Sequence, residues 1–183
     1  MAGSAWLAGS LCTEWDVAAS HSVRARAGWC DRLLAKLLQL PRPLRCIAPA
    51  IGMAVLWWSS SREPKPGPSD PVLALLHNGA HVVAYAALAF AWWAAMTTRE
   101  RALRSSWVVG LTVLYGAVDE WHQSFVPGRT CSWVDVVSDG IGAALTVQYL
   151  RWRLGSDRKA ARSLPWLLAI AVVSVGLATF GPW

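Results

Sequence analysis

Side chains able to do chemistry are concentrated in one short segment of this chain, between two apolar stretches. The segment holds four acids, one amide and one arginine: Asp119, Glu120, Gln123, Arg129, Asp135 and Asp139. Paired carboxylates can transfer protons in general acid–base chemistry, and an arginine can bind a phosphate or carboxylate through two hydrogen bonds. A carboxylate at the centre of a membrane helix costs roughly 2.5–3.5 kcal/mol on insertion scales. Such a group of residues therefore predicts a functional site.

The spacing of these residues predicts which of them share a helical face. Asp119 and Gln123 are four residues apart, as are Asp135 and Asp139, so each pair projects from one side of its helix. Glu120 points about 100° away from Asp119 and is expected to meet a different partner.

A second group lies earlier in the chain. His77, His81 and Tyr85 are spaced i, i+4 and i+8 and also share one helical face. They either line a packing seam and bond to neighbouring helices, or join the acids in one site. We expect His81 and Tyr85 to contribute to ligand binding, together with the six residues of the acidic segment.

Two interpretations of Arg129 are open at this point. Pro127 and Gly128 form a turn that can fold Arg129 back over the acids. Arg129 then either makes an internal salt bridge, for example with Asp119, or meets the anionic head group of a lipid-linked ligand.

A metal site is a weaker hypothesis. His77, His81 and His122 are candidate nitrogen ligands, with Asp119 and Glu120 as oxygen ligands. The HEXXH order is absent and no spacing is diagnostic, so neither a metal nor another cofactor is assigned.

The composition predicts a membrane protein. Hydrophobic residues make up 55% of the 183 positions and charged residues only 15%, against about 25% in a typical soluble domain. The net charge of +6 falls in clusters between apolar segments, which is typical of topology signals. Nucleic acid is not expected as a partner, because the chain lacks a soluble fold with a basic face.

The elements that must position the site are five apolar segments, of which the first is short for a membrane span and contains Pro49 and Gly52. They are residues 46–61, 71–98, 105–123, 133–150 and 163–183. We predict an all-α fold, a polytopic membrane helix bundle of four core spans with a fifth C-terminal span. The predicted regions are a cytoplasmic N-terminal part (1–44), a membrane domain (45–152) and the additional helix (163–183). Leu33, Leu34, Leu37, Leu38 and Leu40 predict an amphipathic helix in the first of these.

The loops predict the orientation in the plasma membrane. Basic residues are dense before the first span, between spans two and three, and between spans four and five. The positive-inside rule then places the N-terminus in the cytoplasm and the C-terminus outside. Under this topology the histidines of span two and the acids of spans three and four lie near the outer face.

Three strings of residues resemble the VanZ-like family of bacterial membrane proteins. They are His81-x3-Tyr85-x2-Leu88, then Asp119-Glu120-x2-Gln123-x-Phe125-x-Pro127-Gly128-Arg129, then Asp135-x3-Asp139-x2-Gly142. The resemblance covers roughly residues 45–150 and implies a small multi-span protein associated with resistance to the lipoglycopeptide teicoplanin. It differs at Asn78, where the family often has Lys, and at Asp139, where it often has Asn.

Three functions are consistent with these residues. In the first, a non-enzymatic envelope protein binds an envelope lipid or lipid-linked wall precursor and lowers lipoglycopeptide susceptibility. In the second, an intramembrane hydrolase or transferase acts on an anionic head group by acid–base or metal-assisted chemistry. Its catalytic candidates are Asp119, Glu120 and His81. The third, a coupled carrier, lacks polar groups near the midplane and an internal repeat. The expected partners are membrane lipids and a lipid-linked wall precursor or lipoglycopeptide.

Overall fold

The computed structural model describes residues 36–37, 39–64, 70–96, 101–129 and 131–181, with the backbone alone for residues 101–103. Contacts divide the chain into an N-terminal unit, Met1–Leu40, and a main unit, Pro41–Trp183. In the N-terminal unit, Lys36, Leu37 and Gln39 are helical. Residues 1–35 and Leu38, which include most of the predicted amphipathic helix, lie outside the described residues.

The described part of the main unit is all-helical, with five helices and no strand, as the sequence predicts. These helices are α1 (Arg42–Ser60), α2 (Pro71–Ala95), α3 (Arg101–Gln123), α4 (Trp133–Gly155) and α5 (Arg158–Phe180). Each corresponds to one of the five predicted apolar segments.

Three helices, α1, α3 and α5, begin earlier than the apolar pattern predicts, and for α1 and α5 the reason lies at the start of the helix. Helix α1 begins at Arg42, and Pro43 lies in its first turn, where the missing N–H costs no helical hydrogen bond. Helix α5 begins at Arg158 because the carboxylate of Asp157 caps it, accepting hydrogen bonds from the backbone N–H groups of Lys159 (3.0 Å) and Ala160 (3.2 Å).

Several basic residues predicted in loops lie on helices instead. Arg101 and Arg104 belong to the first turns of α3, and Arg151 and Arg153 to the last turns of α4. Arginine is a good helix former, and its long side chain can extend away from an apolar segment, so the helices continue past the apolar residues. Helix α4 ends at Gly155, followed by Ser156 in the left-handed conformation.

Helices α2 and α4 form the centre of the main unit. Helix α4 packs against α2, α3 and α5, and α2 also contacts α1. The two approach closely at Gly142, where an added Cβ would collide with the backbone carbonyl of Val82. The apolar core near one end of this pair consists of Ala89, Val108, Ala143 and Val147.

Two described helices, α2 and α5, are long and apolar enough to cross a membrane. Helices α1, α3 and α4 do not meet that criterion, so length and composition support two of the five predicted spans in the described structure. The reason is visible in the sequence: α3 and α4 carry the site acids and terminal arginines, and α1 carries Arg42, Arg45 and Pro49.

Candidate functional site

Polar side chains from α1, α2, α3 and α4 meet at one end of the helical unit. Asp119 and Glu120 lie in the last turns of α3, and Asp139 lies in the second turn of α4. Asp119 and Glu120 are each 2% exposed and Asp139 is fully buried. The structure therefore brings together residues far apart in sequence, for example Ser60 and Asp119, which are 59 positions apart.

Asp119 connects three helices through its carboxylate. Its Oδ1 accepts a hydrogen bond from Ser60 Oγ of α1 at 2.6 Å. Its Oδ2 accepts from Tyr85 OH of α2 at 3.3 Å and from Gln123 Nε2 at 3.2 Å. Three donors from three helices fix this carboxylate, so Asp119 organises the bundle at the level of the site.

Glu120 has one partner of its own and shares another with Asp119. Its Oε2 accepts a hydrogen bond from the backbone N–H of Ser132, the residue before α4, at 2.8 Å. Its Oε1 accepts from Gln123 Nε2 at 3.1 Å. The Gln123 amide therefore lies between the two carboxylates, and Glu120 connects α3 to the start of α4.

Arg129 is held by neutral oxygen atoms. The Pro127–Gly128 turn, in which Gly128 has a φ of +78°, places the guanidinium of Arg129 against the end of α1. There it donates to the backbone carbonyls of Arg62 (3.1 Å) and Ser59 (3.2 Å), and to Gln123 Oε1 (3.1 Å). Among the described residues no carboxylate lies within salt-bridge distance of it, so the alternative of an Arg129–Asp119 ion pair is not what the structure shows.

His81 and Asp139 form a pair between α2 and α4. His81 Nδ1 lies 3.3 Å from Asp139 Oδ1. The other oxygen, Asp139 Oδ2, has no hydrogen-bond partner in the described structure and faces Gly116, where an added Cβ would lie only 2.7 Å away. Tyr85 stacks beside His81, with ring centroids 6.1 Å apart.

A polar cavity of about 320 Å³ opens beside these residues. Of the predicted ligand-binding residues, His81, Gln123, Arg129 and Asp135 line it. Tyr85, Asp119, Glu120 and Asp139 are absent from its wall and form a buried layer behind it. The buried Oδ1 of Asp135 has no partner among the described residues.

Some wall residues carry no strong sequence signal. Asn78 lines the cavity beside His77, and Ala178, Thr179 and Gly181 at the end of α5 complete the wall. Asn78 Nδ2 donates to Thr179 Oγ1 at 3.0 Å, and the buried hydroxyls of Ser138 and Ser174 join α4 to α5 at 2.6 Å. The sequence signal for the contribution of α5 to the site is weak: it consists of Ser174 and Thr179, two hydroxyl residues late in an otherwise apolar helix.

The three candidate metal-ligating histidines are not grouped. His77 and His81 are neighbours, with ring centroids 5.5 Å apart. His122 instead contacts Ser61 Oγ at 2.9 Å and stacks on Trp57 at 3.8 Å. The described residues contain no group of three or more His, Cys, Asp or Glu side chains able to hold a metal ion.

One comparison, with models of protein families, agrees with the resemblance of the motifs to the VanZ-like family. A sequence model of the VanZ/LLP1 family matches residues 20–153, which include the whole acidic segment and α1 to most of α4. Nothing among curated proteins or solved structures matches the chain. Because the matched segment covers most of its length, the chain belongs to the VanZ family.

Proposed function

We propose that this chain is a multi-pass plasma-membrane protein whose polar cavity binds the anionic head group of an envelope lipid or lipid-linked wall precursor. This binding lowers susceptibility to teicoplanin. Family membership supports the association with teicoplanin resistance. The head-group site is argued from Arg129 and its surroundings.

The distribution of apolar side chains supports a membrane environment for all five helices. Each helix exposes large apolar residues, for example Ile51 on α1, Leu76 on α2, Leu114 on α3, Val137 on α4 and Val172 on α5. The buried positions include Asp119, Glu120 and Asp139. An apolar exterior around polar residues is the reverse of a soluble protein and is expected where lipid surrounds the helices.

The position of the basic residues supports the proposed orientation. At the end of the helices opposite the acids, Arg45 Nη1 donates to the carbonyl of Ala94 at 3.0 Å. Arg104 and Arg151 line one small cavity at this same end. Most of the described arginines lie at this end, and only Arg62 and Arg129 of those described lie at the end with the site acids. This excess favours a cytoplasmic arginine end and an outward-facing site.

Arg129 is the observation that carries the head-group proposal. Its three described hydrogen bonds go to uncharged oxygens, so its positive charge lacks a counter-ion in the described structure. Two of its five N–H donors remain for a ligand, and it lines the cavity with His77, His81 and Asn78. A guanidinium held in this way is suited to a phosphate or carboxylate.

The test is teicoplanin susceptibility in cells expressing the wild type, Arg129→Gln or Arg62→Gln at equal membrane levels. Arg62 is the matched control because its side chain lies over the Trp58 ring, 3.6 Å from the centroid, and only its backbone carbonyl contacts Arg129. We expect protection from the wild type and Arg62→Gln and none from Arg129→Gln. Equal protection by all three would contradict the proposal.

A second candidate is an intramembrane hydrolase or transferase on an anionic head group. The unpartnered Asp135 Oδ1 and the His81–Asp139 pair favour it, because a carboxylate-oriented histidine is a common general base. His81 would be the base, while Asp119 and Glu120 lie behind the wall. Mass spectrometry of envelope lipids would test it. A species that changes with the wild type but not with Asp135→Asn supports turnover, and identical profiles contradict it.

A further inference from the structure

Helix α5 lies beyond the segment matched by the family, yet it forms part of the polar cavity. The match ends at residue 153, whereas Thr179 lies in the cavity wall and accepts a hydrogen bond from Asn78. The α2–α5 pair therefore borders the site.

An apolar groove of about 320 Å³ lies along the same pair of helices. Its lining is Leu75, Gly79, Val82 and Val83 of α2, with Ala171, Val172 and Val175 of α5. Gly79 follows Asn78 directly, and Val175 is one helical turn before Thr179, so the groove borders the polar cavity at the Asn78–Thr179 hydrogen bond.

A second apolar groove continues the line toward the arginine end. It has a volume of about 440 Å³ and is lined by Ala86 and Phe90 of α2, by Leu164 and Leu168 of α5, and by four residues of α4: Leu145, Thr146, Tyr149 and Leu150. Along α2, the distance from Asn78 in the polar cavity to Phe90 in the second groove is about 18 Å of helix rise. This is close to the depth of one bilayer leaflet, which is half of the roughly 30 Å hydrocarbon core.

Open space at Gly79 shows that no described side chain fills the first groove at that point. A Cβ built on Gly79 would meet nothing within 4 Å. The cavity at one end presents Arg129, which has no ion pair among the described residues, while the two grooves together present mostly apolar side chains over about one leaflet. An anionic group joined to a hydrocarbon chain of leaflet length complements both surfaces.

We propose that the first groove, between α2 and α5, and its continuation in the second groove bind the acyl chain of a phosphate-bearing membrane lipid. The head group of this lipid lies in the polar cavity. The proposal rests on the head-group site proposed above and narrows the ligand class to an acyl lipid. A water-soluble anion would leave the groove empty, and a polyprenyl chain long enough to cross the bilayer would exceed its length.

The test is native mass spectrometry of the purified full chain titrated with three probes: dioleoyl phosphatidic acid, dihexanoyl phosphatidic acid and farnesyl phosphate. Gly79→Leu fills the groove. Gly110→Leu is its matched control, because Gly110 is an exposed helical glycine whose added Cβ would also meet nothing within 4 Å. Both changes replace glycine with a better helix former, so both variants are expected to fold.

We expect Gly79→Leu to weaken the binding of dioleoyl phosphatidic acid at least about tenfold. Gly110→Leu should bind this lipid as the wild type does. The six-carbon chains of the dihexanoyl lipid reach only the start of the groove, so Gly79→Leu should weaken its binding less than that of the dioleoyl lipid. Unchanged binding of the dioleoyl lipid to Gly79→Leu would overturn the groove, as would a larger effect of this change on farnesyl phosphate.

Arg129→Gln separates this inference from the head-group site. If Arg129→Gln weakens the binding of both phosphatidic acids while Gly79→Leu weakens the binding of neither, the head-group site stands and the proposed acyl-chain groove is contradicted. If Arg129→Gln weakens neither lipid, the head-group site fails, and with it the inference that depends on it.

Discussion

At the scale of single residues, the site consists of a wall and a supporting layer. Arg129, His81 and Asp135 face the cavity, while Asp119 and Glu120 are almost fully buried behind it. Asp119 and Glu120 are satisfied by donors from the protein. Asp135 in the wall has a buried oxygen without a described partner, and so does Asp139 in the layer behind it. The wall is therefore the part available to a ligand.

Asp119→Asn is expected to destabilise the protein. The carboxylate accepts hydrogen bonds from Ser60, Tyr85 and Gln123, and an amide would turn an NH₂ group toward one of these donors. The free energy of unfolding should fall by about 1–3 kcal/mol. Ser60→Ala, which removes one of the three donors, should cost about 1 kcal/mol. Thermal unfolding in detergent measures both, and an Asn variant as stable as the wild type would contradict this role.

Sequence spacing predicted which residues meet but could not assign the partners of Arg129. Helical periodicity places His81 and Tyr85 on one face, and both contact the acids. The acceptors of Arg129 include the backbone carbonyls of Ser59 and Arg62, and a carbonyl leaves no signature in sequence. For the same reason the sequence could not distinguish a charge held by neutral oxygens from an internal salt bridge.

At the scale of elements, the site depends on the close approach of α2 and α4. A Cβ at Gly142 would collide with the carbonyl of Val82, and the backbone cannot move aside as a flexible side chain can. At the neighbouring Gly140 a Cβ would lie 3.2 Å from Val113 Cγ2, which can move slightly.

Gly142→Ala should therefore separate α2 from α4 and lower stability by about 1–3 kcal/mol, the usual cost of overpacking. Gly140→Ala is the matched control and should cost less. Thermal unfolding of the two purified variants measures the difference. Equal melting temperatures would show that the two helices tolerate a wider separation.

The existence of the five helices was predictable because the apolar segments are long. The positions at which the helices begin and end were not predictable. Asp157 extends α5 toward its N-terminus through capping, and arginines extend α3 and α4 past the apolar residues. These effects are local hydrogen bonds and side-chain reach, which hydropathy does not register. The packing of α5 against the site also depends on single hydroxyls, those of Ser174 and Thr179.

At the scale of the whole molecule, two native cysteines can test the proposed orientation. Cys131 lies between α3 and α4 near the site, and Cys46 lies in the first turns of α1; both are exposed and free. With the other cysteines replaced by serine, a membrane-impermeant maleimide should label Cys131 in intact cells. It should label Cys46 only after permeabilisation. The reverse pattern would contradict the outward-facing site.

The pH dependence of this labelling is a further check on the site. Desolvation, then the charges of Glu120 and Asp135, raises the pKa of the Cys131 thiol. Because the thiolate is the reactive form, Cys131 should react more slowly than free cysteine at neutral pH and approach it as pH rises. Glu120→Gln removes one of these charges and should increase the rate at neutral pH. A rate equal to that of free cysteine in the unchanged protein would contradict this environment.

The most direct test of the head-group site is the lipid that purifies with the protein. Lipids are extracted from the purified wild type, Arg129→Gln and Arg62→Gln, and quantified per protein chain by mass spectrometry. We predict an anionic lipid enriched over the bulk membrane with the wild type and Arg62→Gln, and lost with Arg129→Gln. Equal amounts of every anionic lipid in all three preparations would contradict an anionic head group held by Arg129.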